Sequence, residues 1–508
     1  MAESAQSRAP EPAGPRTPGP TGRTAGRTTA GRAKVLTSFD PRTGEVVGDF
    51  AMMGAGELTR AVRSARTAEQ WWAAIGFAGR KRWLLDWKRT IARGTRDLVE
   101  LVSSETGKPR MDAAIEVTLA VEHLDWVARH AERTLGRSTR AAAWLRRDRP
   151  GTVGHLPLGV VGVLGPWHNP VLTPMNSIAA AMGAGNAVVF KPSELTPGVG
   201  AWLADTWTRL APNQPVLQVV TGDSGTAAAL CRARLDKITY TGSAAGAREV
   251  RALCAQSATP LIVEESGRGS MVVQVDARLD TAAAAAVYGA MANSGQHPAG
   301  VRCVYVAESV YEPFLEMVAD QARRLRPGAD RRASYGPMVI ESHIDTVRRQ
   351  VRDAVARGGR AVVGSLESLR EPYIEPIVLT EVPEVSLAIT GDAVGPVLVV
   401  NRVASMDEAV ERVNARERPL PVAVFTRDVR SVPEFAVRLR TDLVTVNSTP
   451  VYGVNGPGRI RDADTLREFA RAQTITEKRR DPAGLGTFEH QPRRLRMARA
   501  LFRFRHRV

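Results

Sequence analysis

Cysteine is scarce: Cys231, Cys254 and Cys303 are the three in 508 residues, far apart and without metal-ligand spacing. That excludes a disulfide framework and a structural zinc site as organising devices, and it suits a reducing cytoplasm. Aromatic residues make up only 5% of the chain, and no apolar run reaches the ~18 residues that a membrane-spanning helix needs. No apolar stretch follows the charges at the amino-terminus, so it does not read as a secretory leader. Lysine is scarce too, at seven against 62 arginines. GC-rich coding accounts for that skew as readily as function does.

The formal net charge of +16 is unevenly spread: residues 1–33 carry +3 and residues 478–508 carry +8, which leaves +5 for the body. The high isoelectric point is therefore mainly a property of the tails. Residues 1–33 are rich in Pro, Gly, Ala, Thr and Arg and show no periodic apolar face, so they read as a disordered tail. In residues 481–508, Leu495, Ala498, Leu501 and Phe502 fall at helical spacing among arginines. That pattern leaves open a basic amphipathic helix for nucleic acid, an acidic membrane or a partner, beside a plain solvated end.

At roughly 150 residues per domain the length accommodates about three domains. From Glu57 to about Val102 the apolar spacing is helical, and Trp71, Trp72, Trp83 and Trp87 read as core. From Leu158 short apolar strands alternate with helices: LGVVGVLGP, NAVVFKPS, PVLQVVTG, DKITYTGS and TPLIVEES are the strands. Such alternation predicts right-handed βαβ units and a parallel sheet, with ligands at the carboxyl ends of its strands. A second alternating series runs from TAAAAAVYGAMANSG to LVTVNS, and TITEKRR at 474–480 reads as an isolated strand.

YTGSAAG places Ser243 at the start of a helix, where a small residue and open amides can hold a pyrophosphate or simply cap the helix. Its company is more specific. DPRTGEVV, ETGKP at 105–109, PLGVVGVLGPWHNP, GNAVVFKPSELTP, YTGS and VEESG follow in order, and this succession resembles the aldehyde dehydrogenase superfamily over about residues 35–480. The resemblance implies an α/β fold. It comprises a Rossmann-like nicotinamide-binding domain at 34–137 and 156–265, a catalytic-type α/β domain at 266–470, and an oligomerisation arm at 138–155 and 471–480. It further implies NAD or NADP as cofactor, no metal, an aldehyde substrate, and a dimer or tetramer of this chain or a hetero-oligomer with a paralogue.

Residue by residue, Lys191 and Glu194 match the lysine and glutamate that hold the adenosine ribose, with Ser193 between them. Gly242 and Ser243 match the pyrophosphate turn, and Trp167 the tryptophan beside the cofactor. Glu264 matches the general base, with Glu265 read as a structural or surface neighbour and Ser266 standing where a glycine is usual. Asp392 stands where a glutamate holds the nicotinamide ribose, one methylene shorter.

The resemblance breaks at the nucleophile. The thiol belongs in a G-Q-x-C signature; here Gly295 and Gln296 match and the cysteine position holds Pro298. Cys303 lies five residues on, ~16 Å along an extended strand, and reads as a small buried residue. His297 is adjacent and reads as structural. The oxyanion asparagine of P-W-N-x-P falls on His168, with Asn169 one place later, so either is a candidate donor. The late loop, YGVNGPGRIRDAD, is shortened. Two functions follow: an aldehyde oxidoreductase with ordinary thiol-dependent turnover lost or very weak, or a catalytically silent cofactor-binding scaffold or subunit.

The composition of residues 1–33 makes a test. Limited proteolysis is expected to trim the chain to about residue 34 and leave the melting temperature unchanged; a large fall in melting temperature would contradict the disordered reading.

Overall fold

The helical periodicity after residue 54 is realised as a run of long helices, opened by Glu57, whose carboxylate accepts from Gly54 N–H at 2.9 Å. The computed structural model describes residues 34–140, 151–265, 269–392, 394–416, 421–449 and 463–476, with Arg496, Arg499, Ala500 and 502–504 near the end. The expectations for residues 1–33, for Ser266, for the shortened loop up to residue 462 and for most of the arginine-rich tail lie outside the described residues.

A hairpin, β1 (Val35–Phe39) and β2 (Val46–Ala51), leads into α1 (Ala55–Ala74), α2 (Gly76–Arg93), α3 (Thr95–Thr106) and α4 (Arg110–Leu135). Two strands follow, β3 (Ser138–Arg140) and β4 (Gly151–Pro157). The first alternating series is then β5 (Val160–Leu164), α5 (Leu172–Ala184), β6 (Ala187–Lys191), α6 (Pro197–Leu210), β7 (Leu217–Val219), α7 (Ser224–Arg232), β8 (Lys237–Gly242), α8 (Ala244–Ser257) and β9 (Leu261–Glu265). Its five strands pair in parallel in the order β7-β6-β5-β8-β9. Every residue of β5 and β6 is buried, as a parallel sheet covered on both faces requires.

The second series is β10 (Gly269–Val273), α9 (Leu279–Met291), β11 (Val301–Ala307), α10 (Tyr311–Arg323), α11 (Glu341–Ala356), β12 (Arg360–Val363), the short pair β13 (Leu369–Arg370) and β14 (Tyr373–Ile374), β15 (Ile377–Thr380), α12 (Leu387–Thr390), β16 (Val397–Val403), α13 (Met406–Asn414), β17 (Val422–Phe425), α14 (Val432–Val437) and β18 (Val444–Val446). Its seven strands run β12-β15-β16-β11-β10-β17-β18, parallel except at β12. Separate apolar clusters cover its two faces.

The chain then returns. Helix α15 (Ala463–Glu468) and strand β19 (Ala470–Thr476) close the described body. Leu466 and Phe469 join the core of the first domain, so this return crosses the boundary expected at residue 470. The segment read as an isolated strand begins earlier and is paired: β19 lies antiparallel to β4, with Ala470 opposite Pro157 and Thr476 opposite Gly151, in a sheet ordered β19-β4-β3.

The tryptophans pack as core. Trp72, Trp87 and Trp207 are fully buried, with Trp207 edge-on to Trp72 at 5.7 Å and to Trp87 at 5.4 Å between ring centroids. Each indole N–H has an acceptor: Met182 O for Trp72, Thr206 Oγ1 for Trp87 and Gln214 O for Trp207. Because Trp207 joins α6 to both amino-terminal helices, Trp207→Ala is expected to cost about 3–5 kcal/mol, read as a lowered urea midpoint; a loss below about 1 kcal/mol would show that the cluster collapses into the space.

Candidate functional site

In the first sheet, β5 sits between β6, which follows it, and β8, which comes three strands later, so the chain switches sides at β5. A parallel sheet binds ligands in the crevice outside the carboxyl ends at such a point. The residues there are Gly165 to Asn169 after β5, Lys191 at the end of β6, Gly242 and Ser243 at and just after the end of β8, and Glu264 near the end of β9. Four separated sequence motifs thus converge on one edge.

Lys191 is buried, donates to Pro192 O at 3.0 Å and lies 3.5 Å from Glu194. Burial pushes its pKa down, and the Glu194 carboxylate opposes that shift. Ser193 is turned inward and accepts from Leu195 N–H at 3.3 Å. Ser243 is the N-cap of α8, its Oγ accepting from Gly246 N–H at 3.2 Å. The cap satisfies one amide of the first turn; the remainder are the open donors, at the positive end of the helix dipole, that bind anions. A buried lysine, a carboxylate able to accept two ribose hydroxyls and an open helix start fit a dinucleotide.

Glu264 is half-buried and accepts from Thr241 Oγ1 at 3.2 Å across the β8–β9 pair. Glu265 points the other way and forms an ion pair with Arg251 of α8, which agrees with its reading as structural. Asp392 is exposed, and its main-chain oxygen accepts from Gln350.

The signature segment turns sharply. After α9, Asn293, Ser294 and Gly295 all adopt left-handed backbone, with φ of 51°, 58° and 67°. Such a run persists only where surroundings enforce it. Ser294 Oγ donates to Gly336 O at 2.7 Å, Gln296 Nε2 to Asn293 O at 3.1 Å, and Gln296 Oε1 accepts from Val339 N–H at 2.9 Å. Buried Arg302 donates to the carbonyl oxygens of Gly295 and Gly395. A Cβ on Gly295 would collide with Gly395 O. This scaffold leads to half-buried Pro298, the residue expected from the sequence at the position of the thiol.

Cys303 is placed in the second sheet. It lies within β11 between Ser270 and Val399, buried in the cluster with Val272, Tyr305 and Val399. Burial pushes its thiol up to about 11. Cys231 and Cys254 are buried in the core of the first domain.

One buried polar network beside the site was not singled out in the sequence. Lys108, in ETGKP, is fully buried and donates to Glu116 at 2.7 Å, His168 O at 2.7 Å and Asn169 Oδ1 at 3.1 Å. Glu116 in turn accepts from Val171 and Leu172 N–H at 2.7 and 3.1 Å, which caps α5. A lysine only donates, so the Asn169 amide oxygen faces it and the amide nitrogen donates to His297 Nε2 at 3.0 Å. The His168 and His297 rings lie 6.1 Å apart, and the Trp167 ring stands 6.1 Å from His168. Both candidates for the oxyanion position thus lie beside the loop of Pro298, the His168 ring near His297 and the Asn169 amide held between a lysine and a histidine. The signal was the motif itself: Glu105 in ETGKP caps α6 through Gly198 and Val199 N–H, and burial pushes its carboxyl up to about 7.

A cavity of about 310 Å³ opens between α9, α10 and the start of α4, beside the approach to the signature turn; Asp112, Tyr288, Met291, Ala292 and Tyr335 are among its walls. Among the described residues no cluster of three His, Cys, Asp or Glu side chains could hold a metal ion, and no helix is long and apolar enough to cross a membrane.

Two α/β domains, with a ligand crevice at the switch point of the first sheet, make up the scaffold, and comparison with known proteins specifies its class. Residues 28–458 match the profile of the aldehyde dehydrogenase family, and the chain belongs to that family of oxidoreductases. It is 28% identical over 450 residues to a probable succinate-semialdehyde dehydrogenase [NADP(+)] of Sinorhizobium fredii, covering 87% of this chain and 91% of the relative. It is 29% identical over 448 residues to a glutarate-semialdehyde dehydrogenase of Pseudomonas aeruginosa, covering 87% and 92%. The solved NAD-dependent aldehyde dehydrogenase of Sinorhizobium meliloti superposes with a TM-score of 0.82 at 26% identity, covering 89% of this chain and 93% of that one.

The buried histidines give a pH dependence. Burial, with the nearby Lys108 and Arg302 charges, holds His297 down to about 3, and burial lowers His168 well below its ordinary value as well. Between about pH 6.5 and 3 the unfolded chain binds protons that the folded protein does not, so stability falls as pH drops through that window. His297→Asn is expected to flatten the slope of unfolding free energy against pH, measured by urea titration at several pH values; an unchanged slope would mean that His297 protonates freely in the folded state.

Proposed function

We propose that this member of the aldehyde dehydrogenase family binds NAD or NADP and lacks ordinary thiol-dependent turnover. Lys191 and Glu194 would hold the adenosine ribose, the start of α8 at Ser243 the pyrophosphate, and Trp167 the flank of the cofactor. Bound NAD or NADP accepts a hydride. The observation that carries the reading is Pro298 at the end of an otherwise well-braced signature turn, with all three cysteines buried in cores. Proline offers no nucleophile and no N–H. Without the thiol, no thiohemiacetal positions an aldehyde for hydride departure, and covalent positioning can be worth roughly 7–11 kcal/mol of barrier. A hydrated aldehyde, with Glu264 taking its proton, is the route that remains, and it forgoes that gain.

The chain assembles as a homo-oligomer, or as the silent subunit beside a paralogue, through the β19-β4-β3 sheet. Support for assembly comes from β19, an edge strand whose residues beyond Ala470 are exposed, which is a liability in a monomer. Three reduced, buried thiols suit the cytoplasm.

Calorimetry is expected to show binding of NAD or NADP, weakened by Glu194→Ala, while a panel of aliphatic and aromatic aldehydes yields no reduced cofactor. Pro298→Cys alone should recover little. Turnover abolished by Cys303→Ala would refute the assignment of the signature; turnover lost only in Glu264→Gln would establish a thiol-free route; no heat with either cofactor would leave a scaffold without a cofactor pocket.

A further inference from the structure

Gly242 at the end of β8 and Gly246 in the first turn of α8 leave a space that a side chain of this chain takes. A Cβ on Gly242 or on Gly246 would collide with the Tyr240 phenol oxygen. Both glycines let the ring lie close on the backbone, which brings its hydroxyl to the start of the helix. Tyr240 is half-buried. Its hydroxyl donates to Ser243 O over a long 3.3 Å contact, and that oxygen already accepts the helical Ala247 N–H at 2.9 Å. The phenol contact is thus secondary and readily exchanged for a better acceptor.

The surroundings keep this hydroxyl a donor. Burial, then the Glu194, Glu265 and Glu249 carboxylates, raise its pKa. The contact with Ser243 O places the phenol oxygen at the start of α8, beside its first-turn amides.

We infer that Tyr240 is a further cofactor-binding residue, whose hydroxyl turns from the Ser243 carbonyl to a phosphate oxygen of the dinucleotide seated at the start of α8. This rests on the cofactor reading above. A phosphate is the acceptor, because the helix dipole and the open first-turn amides gather an anion beside the phenol oxygen. A donor to that anion makes a charge-assisted bond, stronger than the one it leaves.

The test is calorimetry on the full chain and its Tyr240→Phe variant with NAD and NADP, and displacement of the bound dinucleotide by ADP and by adenosine. Tyr240→Phe keeps the ring on the glycines, so the melting temperature without ligand should not move. The expected result is binding of the preferred dinucleotide and of ADP weakened about tenfold or more, with adenosine unaffected. Unchanged dinucleotide and ADP binding would overturn the inference, as would tighter binding, which would make the phenol a plug. An equal loss with adenosine would place the hydroxyl on the ribose and overturn the phosphate assignment. Failure of the wild-type chain to bind either dinucleotide would remove the cofactor reading, and this inference with it.

Discussion

The buried pair of Lys108 and Glu116 is the constraint on which the site depends. Removing two charges from water is costly, and a pair this deep is sustained only when every remaining donor and acceptor has a partner. Here Lys108 spends its three protons on Glu116, the His168 carbonyl and the Asn169 amide, while the second oxygen of Glu116 caps α5. One ion pair therefore sets the path of residues 168–172, the orientation of the Asn169 amide, and through it the position of His297. Breaking either partner would leave an uncompensated charge at the junction of α4, α5 and the signature turn, so the network favours one arrangement over several.

The two ends of the crevice have different standing. At the end proposed for the dinucleotide, a buried lysine, a carboxylate 3.5 Å from it and a capped helix start stand together. At the reacting end the bracing of the turn persists through Gln296, Ser294 and Arg302, yet the group it would present is absent. The backbone is left-handed at 293–295, and three residues on the chain carries a proline, which has no nucleophile to offer.

Much of the fold was legible because its strands are short apolar runs between Gly and Pro signals, and because six motifs keep order and spacing. The tryptophans of α1 and α2 were legible as core from helical periodicity alone. The polar network was not. Lys108 and Glu116 are eight residues apart on the approach to and inside α4, and nothing in local pattern states that they meet Asn169, or that Asn169 meets His297, 128 residues later. Such pairs are created by packing α4 against α5. His297 was read as structural from its isolation, and the structure gives that reading content as a buried acceptor for Asn169. The return of Leu466 and Phe469 to the first core was likewise invisible, since a six-residue helix carries too little periodicity to name its partner.

That return has a consequence for biosynthesis. Asn186 at the mouth of β6 donates to Phe469 O, and Lys237 of β8 meets the Glu468 carboxylate. The first domain is therefore finished by residues that leave the ribosome more than two hundred positions after its own sheet. Vectorial synthesis delivers the second domain as an insertion inside the first, and the nascent first domain waits with the docking site for α15 and the β4 edge uncovered. Until β19 arrives, that β4 edge is an unpaired template of the kind that invites wrong strand pairing.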